Sequence, residues 1–180
     1  MYSPRVQKRP DIIAEFEALK RDIRIGIFGS YLGNHLTDLN LLQIFLKDNG
    51  YINTKLARDL EEDEPRGLHE NEFTYAQRIS DKLVDESYVH IFILFKENDG
   101  EHGINQSVLG EIRQAHTIGK TNIFLYHPLS VTTQVGSYYK RYFTDPPMGW
   151  KIDTYTSLKL KYEIILAELL EICNTMPPDL

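Results

Sequence analysis

Tyr88-Val89-His90-Ile91-Phe92-Ile93-Leu94-Phe95 is the stretch that decides the fold. It is apolar at every position except His90, rich in β-branched and aromatic residues, and bounded by polar segments. Near-continuous apolarity over so short a run predicts a central strand of a parallel sheet, covered by helices on both faces. His90 within it reads most simply as a satisfied core or edge histidine.

The flanks extend this reading. Upstream, Glu72 to Glu86 is helical, with Phe73, Ala76, Ile79 and Leu83 on one side. Downstream, the polar loop Lys96 to Gly103 leads to Asn105, which predicts an N-cap for a helix to about Ile118. Val108, Ile112 and Ala115 form its buried face, Gly119 ends it, and Asn122 to Tyr126 is a further strand halted by Pro128.

The first half of the chain repeats the alternation. Ile23 to Phe28 predicts a strand that ends at Gly29-Ser30-Tyr31-Leu32-Gly33. A helical run through Leu36, Leu39, Leu42 and Leu46 stops at Asp48-Asn49-Gly50. Tyr51 to Ala57 is a weaker strand, and the acidic stretch Arg58 to Asn71 reads as a long exposed loop. Residues 1–9 read as a loose leader to a helix that opens at Pro10-Asp11.

The last third is less regular. Val131 to Phe143 reads as a helix or an irregular aromatic layer, with Tyr138, Tyr139, Tyr142 and Phe143 suited to a core or dimer-interface role. Trp150 to Tyr155 is a candidate fifth strand. Leu158 to Cys173 is a final helix with Leu160, Ile164, Ala167 and Leu170 as its apolar face. The sum is an α/β protein: a flavodoxin-like (Rossmann-like) three-layer sandwich with a mainly parallel sheet of about five strands. One domain spans 1–180, with the leader and first helix in 1–22, the sheet core and site in 23–126, and the aromatic segment and last helix in 127–180.

Composition limits the function. The chain has 180 residues, 42% hydrophobic and 26% charged, and its net charge is −6. That balance argues against nonspecific nucleic-acid binding, which draws on Lys and Arg. No apolar run reaches membrane-spanning length. The N-terminus lacks the apolar core of a secretory signal, so a soluble, cytoplasmic protein is expected. The lone Cys173 excludes an intramolecular disulfide and a Cys-rich zinc site. No His/Asp/Glu set has metal-ligand spacing.

In an open parallel sheet, ligands bind beyond the C-terminal strand ends, at the switch in strand order. Gly29-Ser30-Tyr31, the acidic loop, and the 96–103 loop with its following helix should meet there. Gly29 either admits a ligand to the backbone or simply lets the strand turn into its helix. Glu111, about one and a half turns into its helix and beside the apolar stripe, is well placed to meet a sugar or ribose; otherwise it is a surface glutamate. His102 and His116 flank this region and could protonate a leaving base; isolated histidines are more often polar surface.

The order of parts resembles the nucleoside 2-deoxyribosyltransferase-like superfamily and the related TIR-like nucleotide-binding domains. The resemblance runs from Ile23 to Tyr126 and rests on "SDKLVDESYVHIFILF", a polar Gly-containing loop, "NQSVLGEIRQA", then Gly119-Lys120 and a strand. It implies that Glu111 is the catalytic glutamate. That carboxylate attacks the anomeric carbon of a nucleoside, releases the base and leaves a glycosyl ester, following the logic of retaining glycosidases. It implies that Gly29, Ser30, Tyr31, Asp99, Gly103 and Ser107 contact the substrate. No cofactor or metal is implied. The partner is a nucleoside or nucleotide, and the transferases' habit of association implies a homo-oligomer.

Three departures stand out. Arg113 occupies a position the family gives to glycine, Tyr88 replaces an aspartate at the start of the central strand, and Ser107-Val108 replaces a Gly-containing pair. Arg113 either binds a phosphate in the cleft or is a solvated helix residue. The alternatives to glycosyl transfer or hydrolysis are a nucleotide-sensing domain without turnover, a TIR-like NAD hydrolase, and an interaction domain with no ligand.

Overall fold

The computed structural model describes residues 4–95, 106–129 and 137–176. Five strands form one sheet: β1 (Ile25–Phe28), β2 (Thr54–Lys55), β3 (Val89–Ile93), β4 (Ile123–His127) and β5 (Lys151–Thr154). Their order is β2-β1-β3-β4-β5 and every pairing is parallel. This is the flavodoxin-like order. Seven α-helices accompany the strands among the described residues: α1 (Pro4–Asp22), α2 (His35–Asp48), α3 (Ala57–Leu60), α4 (Glu72–Glu86), α5 (Gln106–Thr117), α6 (Ser137–Thr144) and α7 (Tyr162–Thr175). No helix among the described residues is long and apolar enough to cross a membrane.

Strand alternation divides the core in two. Ile25, Ile27, Val89, Ile91, Ile93, Phe124 and Tyr126 pack with Leu39, Leu42 and Leu46 of α2 and Ile165 and Leu169 of α7. Phe28, Phe92, Leu94, Ile123 and Leu125 face the other way. They meet Ile79 and Leu83 of α4, Val108 and Ile112 of α5, and Tyr142 of α6. The central strand β3 is buried along its whole length, as its apolar run requires.

Several boundaries differ from the sequence reading. The leader is shorter: α1 begins at Pro4, where a residue without an N–H is tolerated in the first turn. The second strand contracts to Thr54–Lys55, at the sheet edge, where a single neighbour supports it. The acidic segment is not simply a loop. It opens with α3, buries Leu60, and is strapped to α4 by Arg78 to Glu64 and Glu70 and by Lys82 to Glu64. The final helix is preceded by a 3-10 turn over Leu158–Lys161. Leu158, Ile165, Leu169 and Cys173 are buried in the core, while Leu160 is 71% exposed and Ile164 and Leu170 face outward.

His90 lies at the centre, not at an edge, and only one of its ring nitrogens is satisfied. Its ring stacks near Phe28 and Phe92. Nε2 donates to the Val84 carbonyl at 2.6 Å, whereas Nδ1 is buried without a partner. Burial lowers its pKa to about 4, from an ordinary 6.5. A histidine depressed in the fold stabilises it fully above pH 6.5, and that contribution drains away as pH falls toward 4. Urea unfolding should show a loss of up to about 3 kcal/mol across this interval. His90→Gln should be less stable at pH 7 but lose less on acidification; an equal acid slope in the variant would assign the loss to other groups.

Candidate functional site

In this strand order, α2 leaves β1 on one face of the sheet and α5 follows β3 on the other, so a crevice opens between the ends of β1 and β3. It is a cleft of about 370 Å³, within the range of small-molecule sites. Phe28 at the end of β1 and Gly29, Ser30, Tyr31 and Leu32 after it line one side. Ala57 and Glu61 of the α3 region, Ala76, Ile79 and Ser80 of α4, and Ser107 and Glu111 of α5 supply the rest.

Local chemistry fixes each part. Ser30 is buried, and its Oγ accepts from the Leu32 N–H at 3.2 Å, which holds the turn after β1. A Cβ on Gly29 would come within 2.9 Å of the Leu39 side chain and 3.2 Å of the Ile93 carbonyl. Glycine is thus required there by packing of α2 and β3, whatever the ligand. The α3 wall is held by Asp59, whose Oδ2 accepts from the Leu56 N–H at 2.8 Å and from Gln43 Nε2 at 2.7 Å. Gln43 also donates to the Thr54 carbonyl of the edge strand at 2.9 Å.

Glu111 is the distinctive group. It is only 9% exposed. Burial pushes its pKa up to about 8; a hydrogen bond from the Ser80 side chain pulls the other way, and the charge of Asp81 adds to the rise. Glu111 therefore stays protonated to higher pH than an exposed glutamate does. Tyr31 is pushed up to about 12, first by burial, with the backbone of Arg58 and Ala57 opposing the rise and the Glu111 charge adding to it. Perturbed groups that converge in a concavity mark a functional-site candidate.

The structure brings together Glu111, Gly29, Ser30, Tyr31 and Ser107. Arg113 does not line the cleft; it is exposed on α5. His116 is also elsewhere: its Nδ1 pairs with the Tyr142 hydroxyl at 2.9 Å and its ring lies edge-on to Trp150. Tyr142 stacks on Trp150 at 5.4 Å and is core, which absorbs part of the aromatic segment. Asp99, Gly103, His102 and the Asn105 cap lie outside the described residues. Sequence reasoning missed Glu61, Ser80, Ala76 and Ile79. The helical spacing of Ala76, Ile79 and Ser80 marked a packed face of α4, and nothing local indicated that its upper end borders a cleft. Among the described residues no group of three or more His, Cys, Asp or Glu side chains could hold a metal ion.

No protein-family model, characterised protein or solved structure matches the chain.

A carboxyl whose pKa is raised in the fold stabilises it below its ordinary value of 4.5 and loses that contribution as pH rises through about 8. Glu111→Gln mimics the protonated form. It should leave stability at pH 5 nearly unchanged and raise it at pH 8.5 by roughly 2–4 kcal/mol, read by urea midpoints. A variant less stable than wild type at both pH values would contradict this description of the carboxyl.

Proposed function

We propose that the cleft binds a nucleoside or nucleotide and that Glu111 attacks its anomeric carbon, cleaving or transferring the N-glycosidic bond. The observation that carries this reading is a buried carboxyl lining a ligand-sized cleft at the sheet's switch point, beside the turn after β1. The transition state of such a reaction carries positive charge on the sugar ring. An anion in a water-poor cleft stabilises that charge far more than it would in water. The hydrogen bond from Ser80 favours the ionised carboxyl that attack requires. The hydroxyls of Ser30, Tyr31, Ser80 and Ser107 give the cleft hydrogen-bonding partners suited to a sugar.

A second reading follows from the burial of Glu111. Burial raises its pKa to about 8, and a neutral carboxyl donates a hydrogen bond better than it attacks. A module that holds a nucleotide without turnover would use it in that way.

Incubation with nucleosides, nucleoside monophosphates and NAD, followed by chromatography of free base, separates the two readings. Catalysis predicts base release that falls at least ~10³-fold in Glu111→Gln, with a rate that rises toward pH 8 as the carboxyl ionises. Thermal stabilisation by a nucleotide without any release supports holding alone. Release that is unchanged in Glu111→Gln removes this residue from the reaction.

A further inference from the structure

Among the described residues, the strand at each end of the sheet has one strand neighbour: β2 beside β1, and β5 beside β4. A free strand edge offers backbone groups with which another strand can pair. β2 is two residues long, and its Thr54 carbonyl is taken by Gln43 Nε2 at 2.9 Å. β5 is four residues long, and the side chains of its Lys151 and Asp153 are 56% and 52% exposed. One bond fixes the direction of its backbone groups. Tyr155 N–H donates to the His127 carbonyl of β4 at 3.1 Å. Backbone groups alternate sides along a strand, so Lys151 and Asp153 also turn to β4, while Trp150, Ile152 and Thr154 turn outward. Trp150 N–H donates to the Pro147 carbonyl at 3.2 Å. Thr154 N–H donates to Asp153 Oδ1 at 2.8 Å, and Asp153 Oδ2 accepts from Lys161 Nζ at 2.8 Å. The carboxylate occupies an outward donor that an added strand would need, and the lysine anchors it there.

We propose that the outer edge of β5 is a docking surface for β5 of a second copy of this chain, and that Asp153 is the latch that holds it closed. Charge along the strand selects this occupant. When two copies of Lys151-Ile152-Asp153 lie antiparallel about Ile152, each Lys151 stands opposite Asp153 of the second copy. These are the pairs that exchange no backbone bonds and lie closest, about 4.5 Å between Cα atoms. Opposite charges stabilise such a pair, and like charges directly opposite destabilise it. Ile152 then meets Ile152 of the second copy, and the two exchange both of their outward backbone bonds. The arrangement has a two-fold axis and closes on itself as a dimer. To form it, Asp153 leaves Thr154 N–H and Lys161 for Lys151 of the second copy. Thr154 N–H, once freed, faces the Trp150 carbonyl of the second copy. Lys151 gives up only a long, exposed contact with Glu168 at 3.7 Å.

Sedimentation velocity of the full chain at low salt tests this, with a melting curve to confirm that each variant is folded. Lys151→Asp combined with Asp153→Lys removes the latch and keeps opposite charges across the two-fold. This double variant should dimerise at least about tenfold more tightly than the wild type, with slowed amide exchange at Ile152. Asp153→Lys alone also removes the latch but sets like charges opposite each other, and it should dimerise at least about tenfold more weakly than the double variant. Asp153→Asn keeps an oxygen for Thr154 N–H and should sediment as the wild type does. A double variant that sediments as the wild type, or that dimerises with unchanged exchange at Ile152, overturns the docking surface. Equal dimerisation of the single Asp153→Lys and the double variant overturns the antiparallel second copy as the occupant. Dimerisation of Asp153→Asn that matches the double variant overturns the latch.

Discussion

A parallel sheet buried on both faces is the constraint from which the rest of this molecule follows. Its crossovers carry helices, right-handed turns dictate the side on which each helix lands, and the order β2-β1-β3-β4-β5 reverses that side between β1 and β3. Neither α2 nor α5 can cover the gap above those two strand ends. The cleft is thus a consequence of strand order, and the residues that follow β1 and β3 become its lining without any special local device. Gly29 illustrates the economy of the arrangement: the close approach of Leu39 and the Ile93 carbonyl demands glycine there, and the same bare backbone borders the cleft.

Placing Glu111 in that gap sets its chemistry. Burial of this carboxyl raises its pKa to about 8, the Ser80 hydrogen bond opposing that rise and the charge of Asp81 adding to it. This is unfavourable for stability above its ordinary pKa, and such local cost is what functional sites commonly carry. The wall opposite is secured by other means. Tyr75 donates to the Glu64 carbonyl at 2.9 Å, and Arg78 bridges Glu64, Glu70 and the Pro65 carbonyl, so the acidic segment is fastened along α4 by several polar links near the surface. Each such link is individually weak in water. Together they keep Glu61 and Ala57 at the edge of the cleft.

The sequence made much of the architecture legible, because buried parallel strands have little choice of composition. Val89 to Ile93, Ile25 to Phe28 and the α4 span announce themselves through apolar runs and helical spacing. The edge strand did not: Thr54 and Lys55 are a strand because β1 presents a free edge, not because of their own preference. The last helix misled for another reason. Apolar residues occur on two of its sides, and packing against the sheet decides that Ile165, Leu169 and Cys173 are the buried one. At the site, Glu111 was legible as a cleft-side residue through its place beside an apolar stripe. Ser80 and Glu61 were not, since each acquires its position from helices brought together over long sequence separations. His90 followed the same rule, its polar ring accepted into the core by one carbonyl and two phenyl neighbours.

The central claim is that the Glu111 carboxylate bonds to an anomeric carbon. Acid quench during turnover, followed by proteolysis and mass spectrometry, tests it directly. A glycosyl adduct on the peptide that contains Glu111, absent when substrate is withheld, is the expected result. Base release accompanied by an adduct on another residue, or by none at any quench time, would contradict it.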